Sequence, residues 1–507
     1  MSMQFKNIPQ SLRVPLFYAE VDNSQANTGQ VNQRALIIGQ YVSSGTAAAN
    51  SDAGANIPVL SQGIADAKAV GGAGSILALM ANAYRACDNF GELWYLPLKD
   101  DAGATAASGS IAFSGTATAA GTLSLYIAAF IGADGLKGLL SVPVTSGMTA
   151  AQLATAVGAA INAASDIPVS ATVLTSTVTL TADNKGLCGN DIDVRMNYRG
   201  TAGGEATPAG ISFTITALSG GATNPSLSTG LANLSDQLFD FIICPYTDTN
   251  SLDALKAFLN DQTGRWSWQT QIYGHVFYAY RGTAGALTTF GTGRNDQHAS
   301  CIGFYDSPTP NWIWAVGLAA TAAVSLRADP GLPLHTLQIA CVLAPPLQSR
   351  FQLTTRNTLL FDGISTFTVA ADGTVAIEGL ITTYQKNGFS QPDNSYLKVE
   401  TMFLLIYVLR AMAVMVTSKY ARVKLASNGT RVLPGSNVVT PNMIRADIIA
   451  KYLELQDSGY VQNADAFKAA VIVEKDTSNP NRVNVLWPGT LINQLDIFAL
   501  LAQFRLV

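Results

Sequence analysis

Charge is scarce in this chain. Asp, Glu, Lys and Arg together make up 13% of its 507 residues, about half the ~25% usual in globular domains. A chain of this size has a large exterior, and those four residue types normally cover it. With a mean hydropathy of +0.23, much of the exterior is therefore expected to be interface. The net charge of −4 and pI of 5.4 give no basic footprint for nucleic acid. Only three histidines occur, His275, His298 and His335, too far apart for an i,i+4 pair or an H-E-x-x-H helix. Each reads as structural. There is no G-x-S-x-G elbow and no G-x-x-x-x-G-K-[ST] phosphate loop. Gly71-Gly72-Ala73-Gly74 reads as a flexible connection, and Asp100-Asp101, Asp191 and Asp193 as solvated or capping carboxylates in turns. Trp266, Trp268, Trp312 and Trp314 read as core or interface packing. No enzyme, cofactor or metal site follows from this set.

Cysteine is sparse as well. Cys87, Cys188, Cys244, Cys301 and Cys341 are scattered without a C-x-x-C. Cys244 and Cys301 fall in expected core strands, as buried small hydrophobes. Cys188 lies in a Gly/Asn-rich loop where it could be exposed, and an odd count leaves room for an inter-subunit disulfide there. The start of the chain carries no signal-peptide pattern. The longest apolar run, Met402 to Val416, is broken by Arg410 and too short to span a bilayer. The expectation is a soluble subunit made in the cytoplasm.

What the chain does have is greasy ends. Leu495 to Ala502 is apolar on both alternating faces, with Leu495, Ile497, Ala499 and Leu501 on one and Phe498, Leu500 and Ala502 on the other. Asp496 alone interrupts it. Such a strand belongs inside a sheet covered on both sides, yet it follows Trp487-Pro488-Gly489 at a chain end, where backbone usually turns and frays. It either closes its own subunit's sheet or adds to a neighbour's. Near the other end, Val14 to Asp22 places Phe17, Ala19 and Val21 on one face and Leu16, Tyr18, Glu20 and Asp22 on the other, followed by a polar linker.

Between the ends, ~100–200 residues per domain suggests about three domains. Strands at Arg34–Gln40, Gly91–Leu98, Leu238–Cys244, Gly274–Tyr280 and Ala299–Tyr305 alternate with helices at Ser75–Asn89, Asn250–Gln262, Ala284–Gly293 and Trp312–Leu326. That alternation predicts an α/β fold with a doubly wound parallel sheet. It is interrupted from about Asp101 to Thr229 by an Ala/Gly/Ser/Thr-rich stretch. Short strands are expected there at Ser110–Phe113, Thr122–Phe130, Val169–Ala182, Asp191–Tyr198 and Ile211–Leu218, with one helix capped by Thr149. This reads as an inserted β-rich α+β module on the outside, its two ends close together. An α+β tail follows, with an Asp372-Gly373 hairpin, a helix over Tyr396–Lys419 and a helix opened by Thr440-Pro441 and closed by Gly459. Strands are expected near Ala469–Glu474 and Asn481–Leu486. The divisions are 1–30, N-terminal arm and linker; 31–100 and 230–365, the core; 101–229, the insertion; 366–475, the C-terminal α+β part; and 476–507, the C-terminal strand and arm.

In FKNIPQSLRVPLFYAEVDNSQA and QRALIIGQ near the start, GNDIDVRMNYRG and GGATNP in the insertion, DGTVAIEGLITTYQKNGFSQPDNSYLKVET, and the closing WPGTLINQLDIFALLAQFRL, the chain resembles the contractile-tail sheath proteins of Mu-like bacteriophages. The resemblance implies a helical homopolymer around a tail tube, built in the host cytoplasm, ending on baseplate and tail terminator proteins. It would shorten to drive the tube through a host envelope. It also implies a subtilisin-like, non-catalytic core and extended arms that add strands to sheets of adjacent subunits. The donors would be Leu16, Phe17, Tyr18, Ala19, Glu20, Val21 and Asp22 at one end and Leu495, Asp496, Ile497, Phe498, Ala499, Leu500 and Leu501 at the other, with the strands near Ala469 to Leu486 as acceptor. The large insertion departs from a minimal sheath. A virion surface adhesin, based on that insertion, is the competing reading.

Overall fold

A computed structural model describes residues 33–433 and 435–506. They divide into two compact units, Gln33–Leu404 with the residues from Asn493 onward, and Leu405–Ile492. The first is built on a six-stranded sheet in the order Ala299–Phe304, His275–Arg281, Phe241–Ile243, Ala35–Gln40, Leu93–Leu98, Val59–Leu60. All neighbours are parallel except the last pair. Every residue of Ala35–Gln40 and of Ala299–Phe304 is buried, as expected of parallel strands covered by helices on both faces. The helix Ile76–Cys87, whose Ser75 side chain accepts from the Ala78 amide at 3.1 Å, packs against Asn311–Ala328. The latter is apolar all round because nearly its whole length is buried, Trp312 and Trp314 included. Among the parallel strands, Leu93–Leu98 lies on one side of Ala35–Gln40 and the three later strands follow in order on the other, so the order reverses beside Ala35–Gln40. Ser365 extends the outer edge through bonds with Gly303 and Cys301 and leads into the antiparallel hairpin Thr366–Val369/Val375–Gly379 around Asp372-Gly373.

The insertion leaves after Leu93–Leu98 and returns before Phe241–Ile243. Its ends meet: the Thr105 and Ala222 backbones exchange hydrogen bonds of 3.1 and 3.3 Å. Between them lie a four-stranded antiparallel sheet (Ile211–Ser219, Ser108–Gly115, Thr177–Ala182, Val169–Leu174) and a three-stranded one (Gly135–Val144, Gly121–Gly132, Val194–Met196). The helix Ala150–Ala163 packs against strands of both. Thr149 and Gln152 form a capping box at its start. The strand Gly121–Gly132 packs on the core helix Ile76–Cys87, and the Ile131 amide bonds to the Cys341 carbonyl at 2.9 Å.

Three local expectations need correction. Val169–Ala182 is two strands, turned at Thr175 with φ of 55°. Asp191 and Asp193 are ion-paired, to Arg281 at 3.2 Å and Arg195 at 2.6 Å. The glycine run is packed and ordered: a Cβ on Gly72 would lie 2.5 Å from Val42 Cγ2, and one on Gly74 2.6 Å from the Ile167 carbonyl, both at positive φ. Those two glycines let the backbone approach closely where no other residue fits.

In the second unit, Thr440 caps Pro441–Asp457 and Gly459 follows it at φ of 79°. Ile448, Tyr452, Leu455, Phe467 and Val473 form part of its core. The unit boundary falls within the helix Val399–Tyr420. At 22 residues this helix is longer than the apolar run in the sequence suggests, and it is long and apolar enough to cross a membrane. Its apolarity has another use. Val399, Met402, Phe403 and Leu404 are buried in the first unit, and Val408 and Met415 in the core of the second.

Candidate assembly interface

Residues 492–506 form no strand. The short strand Thr490–Leu491 pairs with Val461–Gln462, and beyond it the expected C-terminal ribbon is irregular chain with its apolar side chains exposed. Ile497, Phe498, Leu500 and Leu501 are each about four-fifths exposed (78–83%), and Leu506 is 91% exposed. Leu495 is 70% exposed, and Ala499 is exposed too. A lone strand without an edge to pair with leaves its backbone to water and gains no apolar burial, so it does not form. The base of the ribbon is bonded to its own body. The Gln494 side chain donates to the Gly331 carbonyl at 3.4 Å, His335 Nε2 lies 3.3 Å from the Leu495 carbonyl, and Asp496 pairs with Lys398 at 2.7 Å. Lys398 escaped the sequence reading because its partner is remote in the chain and nothing local marks it. The candidate N-terminal residues Leu16, Phe17, Tyr18, Ala19, Glu20, Val21 and Asp22 lie outside the described residues.

The expected acceptor strands exist as a two-stranded hairpin, Ile472–Lys475 with Val483–Leu486, antiparallel with Val473 opposite Val485. Among the described residues these strands pair only with each other, so both outer edges present free backbone groups. One face packs inward through Val473 and Val483. Ile472, Val485 and Leu486 are exposed. The turn is held by Asp476, which accepts from the Ser478 and Asn479 amides at 2.8 Å and from Asn484 at 2.9 Å. Those hydrogen bonds keep its carboxyl well below the usual carboxylate range.

An open α/β sheet takes ligands in the crevice at the carboxyl ends of its strands, where the strand order reverses. In this protein that crevice is filled by the insertion. Gln40 donates to Asp100 and to the Lys185 carbonyl, both at 2.6 Å. Asn184 donates to the Tyr41 carbonyl at 2.9 Å, and the turn Leu187–Asp191 sits across the strand ends, joined to Arg281 through Asp191. Cys188 belongs to this plug, which corrects the expectation of an exposed thiol. It is buried (3% exposed), its Sγ faces the Pro245 carbonyl at 3.6 Å, and burial pushes its pKa up. A thiol enclosed by its own subunit cannot reach a neighbour's, and a raised pKa suppresses the reactive thiolate.

The histidines are accounted for by packing. His275 is buried, lies 2.8 Å from Ser300 Oγ, and is held neutral by burial. His298 lies 2.8 Å from Asp261 under the Trp266 ring at 4.4 Å. Among the described residues no three His, Cys, Asp or Glu side chains group to hold a metal ion. Trp268 is exposed, whereas Cys244 and Cys301 are buried.

Sequence comparison adds a lineage to this geometry. The phage tail sheath central domain matches residues 220–383, starting beside the Ala222 that closes the insertion, and the phage tail sheath C-terminal domain matches 391–505. The Mu-like prophage FluMu tail sheath protein of Haemophilus influenzae is 41% identical over 508 residues, covering 100% of both chains. Solved structures that the chain matches in part include a sheath tail protein from Desulfitobacterium hafniense (TM-score 0.47, 13% identity, 95% of this chain and 97% of that one). Another is a sheath tail protein from Listeria innocua (0.46, 12%, 93% and 94%). Full-length identity at this level, with two sheath domains in order, settles the family: the chain belongs to the phage tail sheath proteins.

Proposed function

We propose that this subunit polymerises helically around a tail tube by donating its C-terminal ribbon to a neighbouring copy, and that the resulting sheath shortens to drive the tube through a host envelope. The observation that carries the reading is the ribbon itself: an alternating apolar run, unpaired and exposed, in a chain with a free-edged hairpin to receive it. Burying one Leu, Ile or Phe contributes ~1.5–3 kcal/mol, against ~0.5–1.5 kcal/mol net per hydrogen bond. Leu495, Ile497, Phe498, Leu500 and Leu501 would therefore fix the register, and the backbone ladder would follow. A ribbon crossing between copies keeps the lattice connected while the bodies exchange one set of contacts for a more extensive one.

The same reading includes the N-terminal donor Leu16–Asp22, a tail-tube partner, baseplate and terminator proteins at the ends of the polymer, and assembly in the host cytoplasm. It also takes the core as subtilisin-like and non-proteolytic, in keeping with a parallel sheet whose carboxyl edge is covered by the insertion. Deletion of Asn493–Val507 tests it. The truncated protein should remain folded, with an unchanged far-ultraviolet circular dichroism spectrum, and should form no ordered tubes by electron microscopy. Ordered tubes from the truncated protein would refute strand donation.

A further inference from the structure

We propose that Lys398 is a post that parks the C-terminal ribbon on its own subunit before assembly, a contact that must open for the ribbon to be donated. The inference rests on the strand-donation reading above. Asp496 is the one residue that does not suit a donated strand. By alternation it shares a face with Phe498 and Leu500, and a carboxylate on a covered face loses its water without gaining a partner. In the free subunit it has one. Lys398 Nζ sits 2.7 Å from Asp496 Oδ2, with the two side chains 27% and 33% exposed.

Lys398 is itself held in place. Its backbone bridges to Ile381, it immediately precedes the helix Val399–Tyr420, and the buried Glu400 below it accepts from the Leu334 amide at 2.8 Å. Gln494 to Gly331 and Leu495 to His335 immediately precede the ion pair, so three consecutive residues are pinned. From Ile497 to Leu506 the apolar side chains stay exposed. The ribbon is thus fixed at its base and presented along its length. An ion pair about a third exposed to water is weak, which suits a contact that has to yield to a neighbour's hairpin.

The test uses the full chain carrying Lys398→Ala, with Lys398→Met as a second variant that keeps the aliphatic stem. Amide exchange across residues 494–501, measured on free subunits below the assembly concentration, should be faster in both variants. The concentration at which light scattering reports polymerisation should fall about two- to fivefold, the size expected for a surface ion pair. Added salt should speed exchange in the native protein and have little effect in the variants. Unchanged exchange in both variants would overturn the proposal, as would a rise in the assembly concentration, since the pair would then belong to the polymer. Failure of strand donation reads out separately: tubes from the chain lacking 493–507 would refute donation, while the exchange data would still report on the post.

Discussion

Glu400 shows what one misplaced charge costs. Its carboxyl is buried, with Oε1 bonded to the Leu334 amide and Oε2 without a hydrogen-bond partner among the described residues. Burial raises its pKa, against the lowering by the Glu400 and Leu334 amides and by Lys398. The folded pKa therefore lies above the unfolded value of about 4.3. The folded state then holds the proton more tightly, so the stability this gives is full below the unfolded pKa and lost as pH rises through the folded one. Glu400→Gln keeps the acceptor and removes the titration. It should stabilise the protein by about 1 kcal/mol at pH 8 and by nothing measurable at pH 4, as read by thermal melts of both proteins at the two pH values. Asp88 is the opposite case. Burial would raise it, but the Arg327 guanidinium, the Tyr84 hydroxyl and the Gly91 amide hold it below the ordinary carboxylate value. Neither shift is visible in the sequence, because burial is set by the fold and Arg327 and Leu334 are distant in the chain from the carboxyls they meet.

At the scale of single elements, local chemistry governs the starts and stops. Thr149 accepts from the Gln152 amide at 3.4 Å while Gln152 Oε1 accepts from the Thr149 amide at 2.9 Å. Thr149→Ala should cost about 0.5–2 kcal/mol, seen as a lower urea midpoint for the protein with an unchanged slope. Caps of this kind, with the Thr440-Pro441 start and the Gly459 stop, can be read directly from residue types. Strands were less legible. Gly135–Val144 was not anticipated, because GLKGLLSVPV breaks alternation with glycine, lysine and proline. It exists as the hairpin partner of Gly121–Gly132. The turn at Thr175 carries no Asn-Gly or Asp-Gly signal, so two strands read as one. The C-terminal ribbon has the opposite character, a clear strand pattern with no strand in the free subunit.

For the whole molecule, the insertion is the test of how far a domain can be treated as an accessory. Its ends meet at Thr105 and Ala222, the arrangement that permits clean excision of a surface module. Yet its 184–191 segment plugs the core. Replacing residues 106–221 by a short turn would uncover Gln40, Tyr41, Cys244 and Tyr246, all buried now. At ~1.5–3 kcal/mol per large apolar side chain, plus unpaired polar groups, the excised protein should be insoluble or melt at least about 10 °C lower. An unchanged melting temperature would show that the core stands without the insertion.

The sequence by itself determined the alternating α/β core, the helix caps and the two greasy ends, because periodicity, capping and composition are properties of neighbouring residues. Only the tertiary structure decided that the insertion seals the carboxyl edge of the sheet, that Cys188 is enclosed, and that Lys398 meets Asp496. Each of those depends on groups brought together from far along the chain, where burial and charge act through space and leave no local pattern to read.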